Sequence, residues 1–246
     1  MKKERYFILD SVRGLIIISM LLYHTLWDLS ELFYVRFGFG GDSFSLWQKS
    51  IRYGFIILSG FCWSLGNHKL KRAVTVLVCS VIITAATAIF MGKDIILFGV
   101  LSLLGSAMLI TIPLDKIFKK INPYIGISAS LLLFILLFEL EHRWISFFGF
   151  DIYRLPRTLY RNLFTAFLGM PKPSFHSTDY VPLFPWIFMF FVGYFLYHVA
   201  KRHALLPKLC AVRIRPLEWL GRHSLIIYML HQPVIYAVLW LIFKII

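Results

Sequence analysis

Charge is scarce in this sequence. Only 15% of its 246 residues are charged, against about 25% in an ordinary soluble domain. Hydrophobic residues make up 59%, against a usual figure of about 45–50%, and a soluble fold of this length could not hide so much apolar surface. Acidic groups are the rarer sign: 12 Asp and Glu stand against 26 Lys and Arg, a formal charge of +14. The cations gather in short segments between apolar runs, where retention on the cytoplasmic side and anionic lipid headgroups account for them. No basic and aromatic stripe runs along a polar surface, which excludes nucleic acid as a partner. Cysteine is nearly missing, and Cys62, Cys79 and Cys210 show neither disulfide nor metal-ligand spacing. Walker-type loops, GxSxG elbows, dinucleotide fingerprints, Ser/Gly-rich linkers and clear internal repeats are all absent. So is a small-residue cleavage site after Met1-Lys-Lys-Glu-Arg. The segment beyond it, with Asp10 and Arg13, reads as a retained first helix and not as a signal peptide.

Apolar runs are what the chain has in plenty. Stretches of the roughly 17–25 residues that cross a bilayer occur near 8–29, 47–66, 73–91, 95–113, 122–140, 181–200 and 217–243. The expected fold is all-α, a polytopic membrane helical bundle of about seven transmembrane helices, in a single domain over 1–246. With the N-terminus cytoplasmic, the inner segments carry Lys2, Lys3, Arg5, Lys69, Lys71, Arg72, Lys116, Lys119, Lys120, Lys201, Arg202, Lys208, Arg213 and Arg215. The short outer segments carry only Arg36, Lys49, Lys93 and Lys244. That bias predicts N-in and C-out, with a long extracytoplasmic loop over 141–180. A connection of that length is usually functional. Within it Leu155–Leu168, apolar residues interleaved with Arg157 and Arg161, fits an amphipathic interfacial helix.

Ionisable groups inside a spanning helix are costly and by default mark function. The first helix carries Asp10, Arg13, His24 and Asp28. Eleven positions separate Arg13 from His24, which at about 100° per residue returns to within about 20° of the same face, about 16 Å along the axis. Asp28 at i+4 can reach the His24 ring, and Asp10 at i−3 can pair with Arg13. Gly14 thins the helix beside the arginine. Taken singly, Arg13 could snorkel toward headgroups and His24 could be a satisfied polar group between helices. Together on one stripe, with an acid beside each, they point to chemistry. A histidine beside a carboxylate suits a general base, and an arginine at the other end suits phosphate recognition. The pattern fits a phosphate-bearing donor drawn from the cytoplasmic side and a reaction nearer the outer face.

Leu9-Asp-Ser-Val-Arg-Gly-Leu, running on to Tyr23-His-Thr-Leu-Trp-Asp28, resembles the opening helix of the transmembrane acyltransferases, which share an arginine, ten intervening residues and a histidine. Ser177-Thr-Asp-Tyr-Val-Pro-Leu-Phe-Pro-Trp186, followed by Gly193, is similar to a signature of the family named for heparan-alpha-glucosaminide N-acetyltransferase. Phe55-Ile-Ile-Leu-Ser-Gly60, Leu217-Glu-Trp-Leu-Gly-Arg-His-Ser-Leu and Tyr228-Met-Leu-His-Gln-Pro233 also look like segments of that family, the last two being shared with acyltransferase-3 proteins. Acyltransferase-3 domains carry more helices than fit here. The resemblance spans nearly the whole chain. It implies acetyl transfer from cytoplasmic acetyl-CoA, as cosubstrate, to a sugar amine or hydroxyl beyond the membrane. Where bacterial relatives would have a histidine in the fourth helix, Leu101-Ser102-Leu103 stands, so that position has no carried-over role.

On this reading His24 acts as general base or transient acyl carrier, Asp28 polarises it, and Arg13 with Asp10 serves the donor. Asp179 joins the catalytic set through the resemblance, while a helix N-cap ahead of Pro182 would explain it too. His176 is a weaker candidate nearby. Arg52 could hold an acceptor carboxylate, neutralise Asp28 or snorkel outward. His231 could line the acyl path or bond within the bundle ahead of Pro233. Trp186 and Trp27 could stack on sugar or belong to an interfacial belt. His24, Asp28, His176 and Asp179 lack metal-site spacing, so no metal is expected. The rival from another class is a transporter or proton pathway built on Arg13, His24 and Asp28, which predicts charged stripes in other helices. The third and fourth helices are nearly charge-free. The expected setting is a multi-pass protein of a bacterial cytoplasmic membrane, in contact with lipid, with a homo-oligomer left open.

Overall fold

The computed structural model describes residues 6–35, 41–210 and 213–245, together with the backbone but not the side chain of Lys93. Lys2, Lys3, Arg5 and Arg36 lie outside the described residues. The chain is mostly helical. In order it forms α1 (Phe7–Glu31), α2 (Asp42–Trp63), α3 (Lys69–Phe90), α4 (Val100–Phe118), α5 (Pro123–Leu136), the strands β1 (Trp144–Phe147) and β2 (Phe150–Arg154), α6 (Leu163–Leu168), α7 (Trp186–Arg202), α8 (Arg215–Arg222) and α9 (Ser224–Ile245). Five helical segments are long and apolar enough to cross a membrane: Phe7–Glu31, Lys69–Phe90, Val100–Phe118, Pro123–His142 and Ser224–Ile245. Helix α7, at 17 residues, is at the short end of what a bilayer needs, and α2 opens on a polar turn at Asp42.

The described residues group into two compact units, residues 1–55 with 203–246 and residues 56–202. In the first, α8 lies against α1 because two glycines let the backbones touch. A Cβ on Gly14 would collide with the Leu217 carbonyl, and one on Gly221 with the Asp10 carbonyl. Ile17, Met20, Tyr23 and Ile51 form the core beside them, flanked by Trp47, Phe55, Ile227 and Tyr228. The single helix expected over 217–243 is broken at His223. Its backbone N–H closes on Trp219 and Leu220 carbonyls, and its ring Nδ1 bonds the Trp219 carbonyl at 2.8 Å, which ends α8. Helix α9 then runs on through Pro233.

In the second unit, Gly60 and Gly193 bring α2 and α7 into backbone contact. An aromatic core surrounds the crossing, with Phe118 within 5.0–5.5 Å of Phe191, Tyr194 and Phe195. Asp115 near the end of α4 accepts from Lys119 Nζ at 2.6 Å, Lys69 Nζ at 3.4 Å and the Tyr194 hydroxyl at 2.8 Å. Lys69 also caps the Trp63 ring at 3.6 Å. Tyr194→Phe should cost about 1.5 kcal/mol, the low end for a hydrogen bond to a charged group, because the lysines still hold the carboxylate. Thermal unfolding in detergent checks this.

The fourth helix starts at Val100 instead of 95 because Ile95–Gly99 is spent on other bonds. Thr178 N donates to Ile95 O, Val181 N to Phe98 O, and the Ser177 hydroxyl to Leu97 O at 2.8 Å. The same bonds, with Leu183 N on Phe167 O, hold residues 177–184 in turns and irregular backbone, so the helix expected from 181 begins at Trp186. Loop 141–180 is ordered. Strands β1 and β2 pair antiparallel about Phe148 and Gly149, both at positive φ. The helix expected over Leu155–Leu168 is reduced to α6, which a capping box of Asn162 and Thr165 starts and Gly169 ends.

Candidate functional site

Asp10, Arg13, His24 and Asp28 of α1 are held at two places. Near its start Arg13 Nη1 donates to Asp10 Oδ1 at 3.3 Å. The other Asp10 oxygen lies 3.9 Å from Arg222 Nε on α8. Arg222 Nη2 donates to Glu218 Oε2 at 2.8 Å, and Arg213 Nε to Glu218 Oε1 at 3.2 Å. Glu218 is buried, and a buried carboxylate persists only when paired and hydrogen-bonded. Charges therefore alternate from Arg13 through Asp10, Arg222 and Glu218 to Arg213. Sequence reasoning missed Glu218 and Arg222. The signal was a lone acid with arginines five residues before it and four after it.

Three turns further along α1, His24 Nδ1 lies 2.9 Å from the Met20 carbonyl. A carbonyl only accepts, so Nδ1 carries the proton and Nε2 of the neutral ring keeps its lone pair. His231 on α9 is fixed the same way, its Nδ1 on the Tyr228 carbonyl at 2.7 Å. The two imidazoles meet edge to face, 4.6 Å between centroids. Tyr23 sits edge-on to both His24 and Trp47 at 5.5 Å, and Trp47 Nε1 donates to the Ser19 hydroxyl at 2.8 Å.

Asp28 departs from expectation. It does not bond His24; Gln232 Nε2 donates to its Oδ1 at 2.6 Å. Asp28 is wholly buried, so it takes the one good amide donor that α9 offers, while a carbonyl of its own helix sets the His24 tautomer. Gln232 was missed, although it follows His231 in the sequence segment that carried the resemblance. Arg52 lies on α2 within electrostatic reach of Tyr23 and Tyr53.

His176, Asp179 and Trp186 belong to the second unit. Asp179 does not cap α7, which starts seven residues later; its Oδ2 and backbone oxygen lie against Gly99, ahead of α4. His176 is exposed. Trp186 is buried, its ring edge-on to Phe134 at 5.5 Å, so it packs within its unit instead of presenting a face for a sugar. Two phenols organise the neighbouring loop. Tyr180 donates to the Ala166 carbonyl, and Tyr160 to the Leu140 carbonyl. Burial pushes both hydroxyls up from the usual phenol range; at Tyr160 the Arg143 charge works against it. Both stay protonated donors. Among the described residues, no three His, Cys, Asp or Glu side chains come together to hold a metal ion.

A family model described as heparan-alpha-glucosaminide N-acetyltransferase, catalytic, matches residues 5–233. No curated protein and no solved structure matches the chain.

Proposed function

The chain belongs to the heparan-alpha-glucosaminide N-acetyltransferase catalytic family, and from that we propose that it moves an acetyl group from cytoplasmic acetyl-CoA to an amine or hydroxyl of a sugar or glycan across the membrane. Family membership and the five apolar helices support a membrane acetyltransferase. In this reading α2 and α7 complete seven crossings of a single transmembrane domain, the N-terminus is cytoplasmic, and the loop 141–180 lies outside. The observation that carries the chemistry is the fixed tautomer of His24, whose Nδ1–H is committed to the Met20 carbonyl. In that tautomer Nε2 is the basic nitrogen of a half-buried ring.

His24 then takes the proton of the acceptor N–H or O–H as that atom bonds the acetyl carbonyl carbon. The carbon–sulfur bond breaks, and the CoA thiolate leaves and is protonated. Transient acetylation of His24 Nε2 would split the same exchange into two steps. Arg13, with Asp10 orienting it, faces the donor phosphates, a task suited to a guanidinium. Asp28 and His231 border the reacting ring, and Asp179 joins through the family-like segment around it. Arg52 and His176 remain candidates for the acceptor.

The test is turnover by the purified protein in nanodiscs with radiolabelled acetyl-CoA, with and without glucosamine. Acceptor-dependent CoA release and labelled product are the expected result. If acetyl-CoA neither binds nor turns over, the donor assignment fails and transport of ions or protons becomes the reading to pursue.

A further inference from the structure

Three buried polar atoms on neighbouring residues of the first unit have no hydrogen-bond partner among the described residues: Asp28 Oδ2, Gln232 Oε1 and His231 Nε2. All three are acceptors, and chemistry fixes each assignment. The second Asp28 oxygen is bonded to Gln232 Nε2 at 2.6 Å. Turning the Gln232 amide over would press two oxygens together at that distance, so its Oε1 must be the atom left over. His231 Nδ1 is committed to the Tyr228 carbonyl, so Nε2 offers a lone pair. Asp28 is wholly buried, and Gln232 and His231 are consecutive on α9. Buried polar groups are nearly always satisfied, so three orphaned acceptors on touching or adjacent residues call for a partner that brings donors.

The geometry points to Asp28, Gln232 and His231 as the subsite that receives the nucleophilic group of the acceptor in its proton-bearing form. This rests on the acetyltransferase reading and deepens it. The shared chemistry is an N–H or O–H group able to donate to more than one oxygen or nitrogen. An amine that enters as ammonium, and gives up one proton to solvent before its nitrogen can attack and a second to His24 as it does, meets it, as does a pair of sugar hydroxyls. Binding here sets the group beside His24, whose ring is 4.6 Å from that of His231. Asp28 and Gln232 act as binding residues, and the negative charge of Asp28 would favour the ammonium.

Ligand-induced thermal stabilisation of the whole protein in detergent tests this without turnover. Glucosamine supplies the ammonium and N-acetylglucosamine supplies hydroxyls alone. Stabilisation of the wild type by glucosamine only identifies the ammonium as the group held; stabilisation by both identifies hydroxyls. Gln232→Met, close in shape but without the amide, should weaken the effective sugar by about tenfold or more, the loss expected for a hydrogen bond to a charged site. Asp28→Asn keeps an oxygen for Gln232 but can place a donor where Oδ2 accepted, and should weaken it likewise if Gln232→Met does not fold. Acetyl-CoA should stabilise the wild type and both variants alike. The subsite is overturned if neither sugar stabilises the wild type, or if a folded variant responds as the wild type does. Failure of acetyl-CoA alone would strike the acetyltransferase reading and leave the sugar result standing.

Discussion

Replacing His24 by alanine is expected to lower acetyl transfer by about 10²–10⁴-fold, the usual contribution of a positioned general base, in a protein that still folds. The ring is half-buried, and the Met20 carbonyl, the Tyr23 ring and the His231 ring are among the groups it meets. Donor binding should persist, because Arg13 lies eleven residues earlier, about 16 Å along the helix. Single-turnover assays with radiolabelled acetyl-CoA separate the two effects. Unchanged acetyl-CoA affinity with little transfer supports the assigned role, whereas a variant keeping more than about a tenth of the activity would remove His24 from it. Label held on the wild type before acceptor is added, and lost in the variant, would favour an acetyl-histidine.

The second large effect is expected in the other unit. Gly60→Ala should destabilise the protein by about 3 kcal/mol, the upper end for over-packing, and Gly193→Ala similarly. At Gly60 a Cβ would fall on the Phe190 carbonyl and at Gly193 on the Ile57 carbonyl, so each glycine admits the other helix's backbone. Backbone in a helix cannot swing aside as a side chain can. Gly54→Ala is the control: its Cβ would meet the flexible end of Ile16 at 3.1 Å, and the cost should stay below about 1 kcal/mol. Melting temperatures in one detergent compare the three. Equal losses at Gly54 and Gly60 would show that helix contact is not what the glycines serve. The two crossing glycines share one contact, so the double variant should lose less than the two single losses added together.

All seven apolar runs contain a helix, because length and hydropathy are local properties that the bilayer reads directly. Helix ends were less legible. Residues 95–99 look apolar enough for a helix, but their carbonyls serve Thr178 and Val181, some eighty positions away. The hairpin in the loop could have been suspected from Phe148 and Gly149 between runs of aromatic and β-branched residues. At the candidate site, Arg13, Asp10 and His24 stood out because charge inside an apolar helix is conspicuous. Their partners did not. Helical spacing put Asp28 beside His24, and burial gave it Gln232 instead. A glutamine near the middle of a long apolar helix carries no charge to draw the eye, and its value shows only when the fold brings an acid to it.

Asp28 and Gln232 are 204 residues apart in the chain. At the about 5–20 residues per second of protein synthesis, roughly 10–40 s pass between the making of one and the making of the other. Through that interval the first helix is complete, yet Asp28 lacks its amide, Asp10 lacks Arg222 and His24 lacks the ring it faces. The site therefore closes only once residue 232 has been made, long after its first helix. A ribosome that stops before residue 222 releases a chain whose arginine–histidine stripe has only partners such as Asp10 and the Met20 carbonyl, within its own helix. Such a product should expose an unpaired carboxylate within its first helix, the kind of flaw by which membrane proteases distinguish an unfinished chain from a finished one.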